Sequence, residues 1–136
     1  MSPSGRTLVD MSNTTPNPVT FFEIATDDPA GARAFYGDLF GWSFESLGAF
    51  TMVATGPDGA IGGGIQDTTA EIPPATPRRY TTFYVQVPDV AGACSRATEL
   101  GGKVLVDTTT IPTGLVYALV TDPHGSLFGL FTPPAA

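Results

Sequence analysis

The sequence predicts an α+β fold built from two copies of a β-α-β-β-β module. The first indication is an internal repeat: an apolar run, an Asp-containing turn and an Ala-rich segment ending in Leu and Gly recur 61 positions apart in the 136 residues. The second is that strand-like runs outnumber helix-like segments in both copies. Hydrophobic residues make up 42% of the chain, which is enough to form one buried core. We expect one domain, residues 19–136, with curled mixed sheets and helices outside.

The first module is predicted at about residues 19–66. The segment from Val19 to Ala25 is rich in aromatic and β-branched residues, which favour strands. Asp27 or Asp28 can cap the helix that follows, which we expect to end near Leu39. The later strands of this module are predicted at 42–47, 50–54 and 60–66.

The second module is predicted at about residues 80–132, after a proline-rich linker at 67–79. Its helix is expected at 90–100, and its strands at 80–87, 103–107, 115–121 and 126–131. Five extra residues relative to the first copy are expected near Thr108 to Gly114. The polar, proline-containing residues 1–18 are interpreted as a flexible leader.

The charge balance limits the classes of partner. Six basic residues face 13 acidic ones, for a net charge of −7, so the surface repels nucleic-acid phosphates and favours cationic or neutral ligands. A single cysteine, Cys94, excludes an internal disulfide. No segment is apolar enough for a membrane span or a secretion signal. We therefore expect a cytoplasmic protein that binds neither nucleic acid nor membrane.

Three motifs resemble one known superfamily. They are the Ala-Phe-Tyr-Gly-Asp-Leu-Phe-Gly-Trp run at Ala34 to Trp42, the Leu-Gly-Gly-Lys-Val run at Leu100 to Val104, and Thr-Asp-Pro-His-Gly at Thr121 to Gly125. Together with the paired modules they resemble the vicinal oxygen chelate superfamily, which groups glyoxalases, bleomycin-resistance proteins and extradiol dioxygenases. The resemblance extends over residues 18–133 and implies a homodimer, as in other small members.

The resemblance also implies a divalent metal in the concavity of the sheet. Its four ligand positions map here onto Phe21, Thr82, Gly63 and Gly129. None of these binds a metal as the family's ligands do, and Thr82 has only a weak neutral oxygen. His124, the single histidine, falls in a turn. We therefore expect no metal and no cofactor.

Glu23 is the leading candidate for a functional residue. Strand alternation places it on the same face as Phe21, where it would point into the concavity. A carboxyl in an apolar cavity has a raised pKa and can act as a general acid or base, or pair with a cationic ligand. The alternatives are an ion pair with an arginine such as Arg33 and an exposed position on the strand.

The remaining site candidates are predicted around Glu23. Tyr84 is its repeat equivalent and can donate a hydrogen bond or stack on a planar ligand, unless it is a core aromatic. Thr82 can orient a ligand oxygen or simply fill the strand. The proposed pocket walls, which also suit a core role, are Phe21, Trp42, Phe50, Met52 and Tyr117.

Three functions follow from this set. The leading one is metal-independent binding of a small, planar or apolar organic ligand, as in drug-sequestering resistance proteins of the superfamily. The alternative is an isomerase, epimerase or cyclase without a metal, in which Glu23 moves a proton and Tyr84 or Thr82 holds the oxyanion. The third is a metal enzyme with displaced ligands, of the glyoxalase or dioxygenase type.

Overall fold

The computed structural model describes residues 17–135, and its elements follow the order predicted from the repeat. The first half contains β1 (Val19–Thr26), α1 (Pro29–Phe40), β2 (Ser43–Leu47), β3 (Phe50–Ala54) and β4 (Gly62–Asp67). The second half contains β5 (Tyr80–Gln86), α2 (Val90–Glu99), β6 (Lys103–Thr110), β7 (Val116–Thr121) and β8 (Leu127–Thr132). Most of the predicted leader, residues 1–16, lies outside the described residues.

The strands form one open mixed sheet in the order β2-β3-β4-β1-β5-β8-β7-β6. β1 pairs parallel with β4, and β5 pairs parallel with β8, so both modules have the same internal arrangement. β1 and β5 pair antiparallel at the centre and join the modules. Exchanging the two halves reproduces the strand order, as a pseudo-twofold axis between β1 and β5 requires. The predicted α+β fold is confirmed.

Each helix begins after the aspartate that the repeat places there. The carboxylates of Asp28 and Asp89 accept backbone N–H hydrogen bonds from residues three positions later, at 3.0 and 3.1 Å. α1 ends at Gly41, whose φ of 73° is in the left-handed region that glycine adopts without strain. The repeated aspartates are therefore helix caps.

Both helices cover the same face of the sheet. Phe22 packs in the core under α1, and its partner across the β1–β5 ladder is Phe83. Phe83 stacks on Phe128 at 6.4 Å, and Phe128 packs in the core under α2. The opposite face, called here the helix-free face, has a core cluster without any residue of α1 or α2. It carries the alternate side chains of the central strands, among them Phe21, Glu23, Tyr80, Thr82, Tyr84 and Phe131.

The second copy is longer in its first hairpin, as the repeat predicts. β6 continues to Thr110 rather than ending at Asp107, because the β-branched threonines after Asp107 extend the ladder through irregular register. Residues 111–115 then connect β6 to β7, where residues 48–49 suffice between β2 and β3. Among the described residues, no helix is long and apolar enough to cross a bilayer.

Candidate functional site

Glu23 lies at the centre of the helix-free face. Phe22 and Ile24 pack under α1, so the alternation of β1 turns Glu23 to the opposite side of the sheet. In the ladders it stands between Gly64 of β4 and Thr82 of β5. Only 7% of its surface is exposed. The sheet therefore holds a carboxyl group in a largely desolvated position.

Two tyrosine hydroxyls hold one oxygen of this carboxyl group. The Tyr84 hydroxyl donates to Glu23 Oε1 at 3.0 Å, and the Tyr80 hydroxyl donates to the same oxygen at 2.5 Å. The predicted site lacks Tyr80, although it lies four residues before Tyr84 on β5 and therefore shares its face. The alternation of side chains along β5 is the sequence signal that identifies Tyr80 as a site residue.

Burial raises the pKa of Glu23, because removing the carboxylate from water disfavours its charged form. The hydrogen bonds from Tyr80 and Tyr84 oppose this rise and offset it only in part. The pKa values of both tyrosines are raised as well, first by burial and then by the neighbouring Glu23 charge. The phenols therefore stay protonated as donors, and Glu23 is the group of this cluster that titrates first.

The second oxygen of the carboxyl group takes no hydrogen bond from the described residues. Among residues 17–135, both hydrogen bonds to Glu23 go to Oε1 and none goes to Oε2. Within the same residues, Thr76 Oγ1 is the only fully buried side-chain polar atom without a partner. Glu23 Oε2 is therefore not fully buried, and its lone pairs are free to accept a hydrogen bond or a proton from a bound molecule.

Aromatic rings form the surface beside this carboxyl group. The Phe21 ring stacks with Phe50 at 6.3 Å and contacts Tyr84 and Phe131 at 6.1 and 6.4 Å. Phe131 in turn meets Tyr84 edge-on at 6.1 Å. Phe21, Phe50 and Phe131 are half-buried, so part of each ring faces outward. Such faces stack on planar groups and attract cations.

Met52 and Tyr117 lie on the same face. Met52 pairs with Gly64 in the β3–β4 ladder, and Gly64 pairs with Glu23, which puts the methionine in the same transverse row. Tyr117 packs in the cluster that contains Tyr84. Burial, and secondarily the Glu23 charge, raises the pKa of Tyr117. The structure thus brings together Glu23, Tyr84, Phe21, Phe50, Met52 and Tyr117.

Two other predicted site residues have different surroundings. The Thr82 side chain lies beside Glu23, but its hydroxyl donates to the Leu127 carbonyl at 2.7 Å and so secures the sheet. Trp42 stacks on Tyr36 of α1 at 5.6 Å and packs with Phe22. It belongs to the core under α1, on the other side of the sheet, because the chain enters β2 from the end of α1. Trp42 is not a wall of the Glu23 site.

The ion pair considered for Glu23 is not formed. The Arg33 guanidinium donates to Ser46 Oγ at 2.8 Å and lies over the Phe44 ring, 5.6 Å from its centroid. Arg33 is on α1, whereas Glu23 faces away from both helices. The hydrogen-bond partners of Glu23 among the described residues are Tyr80 and Tyr84.

The residues at the mapped metal positions do not fit a metal ion. Phe21, Thr82 and Gly129 lie on the helix-free face. The mapping of the fourth position to Gly63 is wrong by one residue, since Gly63 pairs with Phe22 and a Cβ there would overlap the Phe22 ring. Gly64, beside Glu23, is on the helix-free face instead. Within residues 17–135, no three or more His, Cys, Asp or Glu side chains converge as metal ligands.

The curated proteins similar to this chain are glyoxylase-like. A protein named "Putative glyoxylase CFP32" from Mycobacterium tuberculosis (strain CDC 1551 / Oshkosh) is 27% identical over 133 residues, covering 95% of this chain and 48% of that protein. This chain thus spans about half the length of that relative. A glyoxylase-like domain-containing protein from Didymella fabae is 27% identical over 124 residues, covering 85% and 94% of the two chains.

Solved structures share the fold at low sequence identity. A Legionella pneumophila structure described as an NAD-dependent benzaldehyde dehydrogenase matches with a TM-score of 0.62 and 19% identity, over 86% of this chain and 98% of that one. Methylmalonyl-CoA epimerase from Mycobacterium tuberculosis matches with a TM-score of 0.57 and 15% identity, over 86% and 88%. These similarities establish the architecture alone.

The sequence model of one family matches residues 18–130, which include both modules and the strands that carry Glu23, Tyr80 and Tyr84. The match agrees with the pseudo-twofold sheet and with the glyoxylase-like relatives. The chain therefore belongs to the Glyoxalase/Bleomycin resistance protein/Dioxygenase superfamily.

Proposed function

We propose that the helix-free face binds a small organic molecule, with Glu23 as its polar contact and aromatic side chains around its planar or apolar body. The carboxyl group carries this proposal: it is buried, its Oε1 is held by two tyrosines, and its Oε2 takes no hydrogen bond from residues 17–135. Burying an ionisable group is unfavourable, so a carboxyl of this kind is a functional-site candidate.

A cationic ligand fits this site best. The half-buried faces of Phe21, Phe50 and Phe131 present negative π-density beside the single carboxyl group of this cluster. A cation bound at Oε2 would favour the charged form of Glu23 and so compensate the carboxylate for its lost hydration. The net charge of −7 would also attract cations at long range. The compound would be held by charge and stacking, without a metal.

The second candidate is a proton-transfer enzyme, such as an isomerase, epimerase or cyclase. The raised pKa of Glu23 brings its carboxyl closer to neutral pH, and the fixed Oε1 leaves a single oxygen, Oε2, to take and return a proton. The hydroxyls of Tyr84 and Thr82 already donate elsewhere, so here Tyr84 would position the base rather than hold an oxyanion. The fold is compatible with this reaction class, since a solved methylmalonyl-CoA epimerase shares it.

The charge of Glu23 provides a direct test of ligand binding. Wild type and Glu23→Gln are titrated with benzyltrimethylammonium and with the neutral benzyl alcohol, and binding is followed by NMR. We expect the substitution to weaken binding of the cation by about tenfold or more, the size of one charge-assisted contact, and to leave the neutral probe unchanged. Glu45→Gln is the matched control, because Glu45 is an exposed carboxylate of the same sheet. Equal losses in both variants would contradict a specific role of Glu23.

Hydrogen–deuterium exchange into a substrate, rather than binding affinity, distinguishes the proton-transfer enzyme from a sequestering protein. Wild-type protein in D₂O is incubated with a panel of carbonyl compounds that carry an acidic C–H bond, and deuterium incorporation is measured by mass spectrometry. A proton-transfer enzyme incorporates deuterium, and Glu23→Gln abolishes incorporation while the compound still binds. Absence of catalysed exchange across the panel favours the sequestering protein.

The homodimer, the cytoplasmic location and the absence of nucleic-acid partners remain proposals. They follow from the family resemblance and from the acidic composition of the chain. Sedimentation equilibrium tests the dimer, since a mass independent of concentration and equal to one chain would contradict it. Titration with a labelled DNA duplex tests the absence of nucleic-acid binding. It is done at low salt, where non-specific binding is strongest, and saturable binding there would contradict the proposal.

A further inference from the structure

A cleft lies on the side of the sheet opposite Glu23, between α1 and the central strands. Its volume is about 490 Å³, and it is open to solvent. Its lining includes the aromatic Phe35 and Tyr36 of α1, Ile24 and Thr81 of the central strands, and Arg79. The Phe35 side chain is unusually exposed for its type, at 60%. The cleft thus combines aromatic surface with a cation.

Arg79 is held in place together with its neighbour Arg78. The Nε–H group of Arg79 donates to Asp27 Oδ1 and that of Arg78 to Asp27 Oδ2, both at 2.8 Å. These bonds hold the pKa of the Asp27 carboxyl down at about 2, so it stays ionised at neutral pH. One carboxylate therefore fixes two guanidinium groups side by side.

The outer nitrogens of both guanidinium groups remain available. Among residues 17–135, the only bonds that Arg78 and Arg79 donate from their side chains are those from Nε to Asp27. Their side chains are 78% and 71% exposed. The only other charged group that lines the cleft is Asp28, whose carboxylate accepts the N-terminal N–H bond of α1. The two guanidinium charges thus balance the carboxylates of Asp27 and Asp28, and the outer N–H groups of the arginines remain available to an anion.

We propose that this cleft binds the anionic group of an aromatic or aliphatic acid, such as a carboxylate or a phosphate ester. The Nη groups of Arg79, which lines the cleft, would pair with the anion in the two-point geometry that guanidinium favours. The apolar body would pack against Phe35 and Tyr36. Asp27 acts as the positioning residue, because its carboxylate orients both arginines by their Nε–H groups and leaves their outer edges facing solvent.

This site is distinct from the one proposed at Glu23, although Tyr80 lines the cleft and its hydroxyl donates to Glu23. Arg79 and Tyr80 are consecutive, and the Tyr80 side chain points to Glu23 on the helix-free face, whereas the cleft opens beside α1. The two sites also differ in the charge of the ligand they select, a cation at Glu23 and an anion in the cleft. Loss of one activity therefore leaves the other measurable.

Benzoate and its neutral isostere benzamide test the proposal directly. ¹H–¹⁵N spectra of the full chain are recorded during titration with each compound up to its solubility. We expect benzoate to shift the amides of Ala32, Tyr36 and Thr81 and the Nε–H signal of Arg79 along one saturable curve. Benzamide should bind about tenfold more weakly or worse, because it lacks the charge-assisted contacts.

Variants on the exposed surface separate this site from general attraction of anions. Arg79→Gln should reduce benzoate affinity to that of benzamide, and Phe35→Ala should weaken both compounds. Arg96→Gln is the control, since Arg96 lies on α2 and pairs with Glu99 at 3.0 Å; it should bind benzoate like wild type. Equal affinity for the two compounds, shifts scattered over the surface, no saturable shift, or unchanged benzoate binding in Arg79→Gln would each overturn the proposal.

Discussion

The hydroxyl of Tyr84 donates to Glu23 Oε1 at 3.0 Å, and these two residues occupy equivalent positions in the two modules. The pseudo-twofold axis between β1 and β5 brings the equivalent positions together on one face of the sheet. Where one module has a carboxyl group, the other supplies a phenol to hold it. Residues of the two equivalent strands, β1 and β5, thus fix the carboxyl group, with Tyr80 as the second donor.

The stability of the protein should depend on the charge of Glu23. Because its pKa is raised on folding above the ordinary value of 4.5, the folded state binds a proton that the unfolded state has lost. The stabilisation is complete below that value and is lost as the pH rises through the folded pKa. Relative to Glu23→Gln, wild type should lose about 1.4 kcal/mol for each unit of the shift.

Urea unfolding of both proteins between acidic and neutral pH measures this difference. Glu45→Gln serves as the control for loss of a carboxyl group from an exposed position of the same sheet. A difference between wild type and Glu23→Gln that stays constant over the range would show that burial does not perturb Glu23.

Removing either tyrosine hydroxyl should raise the pKa of Glu23 further. Tyr84→Phe and Tyr80→Phe each delete a donor that stabilises the carboxylate, and hydrogen bonds to charged groups contribute about 1.5–3 kcal/mol, or roughly one pKa unit or more. Titration of the Glu23 carboxyl carbon by ¹³C NMR gives the value directly. Tyr36→Phe, on the other side of the sheet, should leave it unchanged. A pKa that falls in either β5 variant would contradict the orienting role.

Two glycines of β4 should respond differently to the same substitution. A Cβ at Gly64 would overlap the Phe50 ring, whereas a Cβ at Gly62 meets no atom within 4 Å. Gly64→Ala should therefore displace Phe50 from Phe21 and destabilise the fold by about 1–3 kcal/mol, as overpacking does. Gly62→Ala should be close to neutral. Thermal unfolding compares them, and equal stabilities would mean that the Phe50 ring is not confined there.

Removing metal ions should not change the protein. No metal-ligand cluster is present in residues 17–135, so we expect purified protein to contain no stoichiometric divalent ion and to keep its melting temperature after chelation. Elemental analysis and calorimetry with and without a chelator test this. A stoichiometric ion, or a melting temperature that falls on chelation and recovers with one metal, would establish a site with displaced ligands.

The alternation of polar and apolar residues was sufficient to find the strands and to place Glu23 on the face opposite Phe22. It was not sufficient to choose the walls of the site. Trp42 and Phe50 both follow α1 as aromatic residues of the first module, yet Trp42 packs under α1 and Phe50 lies against Phe21. The difference arises because a residue at the entrance of a strand is positioned by the helix before it.

The mapping of Gly63 shows a second limit. An error of one residue along a strand exchanges the two faces, and only the pairing of β4 with β1 identifies Gly64 as the neighbour of Glu23. Tyr80 illustrates the opposite case, since alternation already put it on the correct face. Its contact with Glu23 nevertheless depends on how the antiparallel ladder aligns the two strands.

The sequence by itself determined the duplicated module, the helix caps, the face of Glu23 and its equivalence to Tyr84, because repeats, capping residues and strand alternation are local properties. Only the tertiary structure decided that both tyrosine hydroxyls meet the same carboxyl oxygen, that Thr82 bonds the sheet, and that Arg79 faces a cleft beside α1. Those contacts join residues from distant parts of the chain. They depend on register and on the packing of helices against the sheet, which no local pattern encodes.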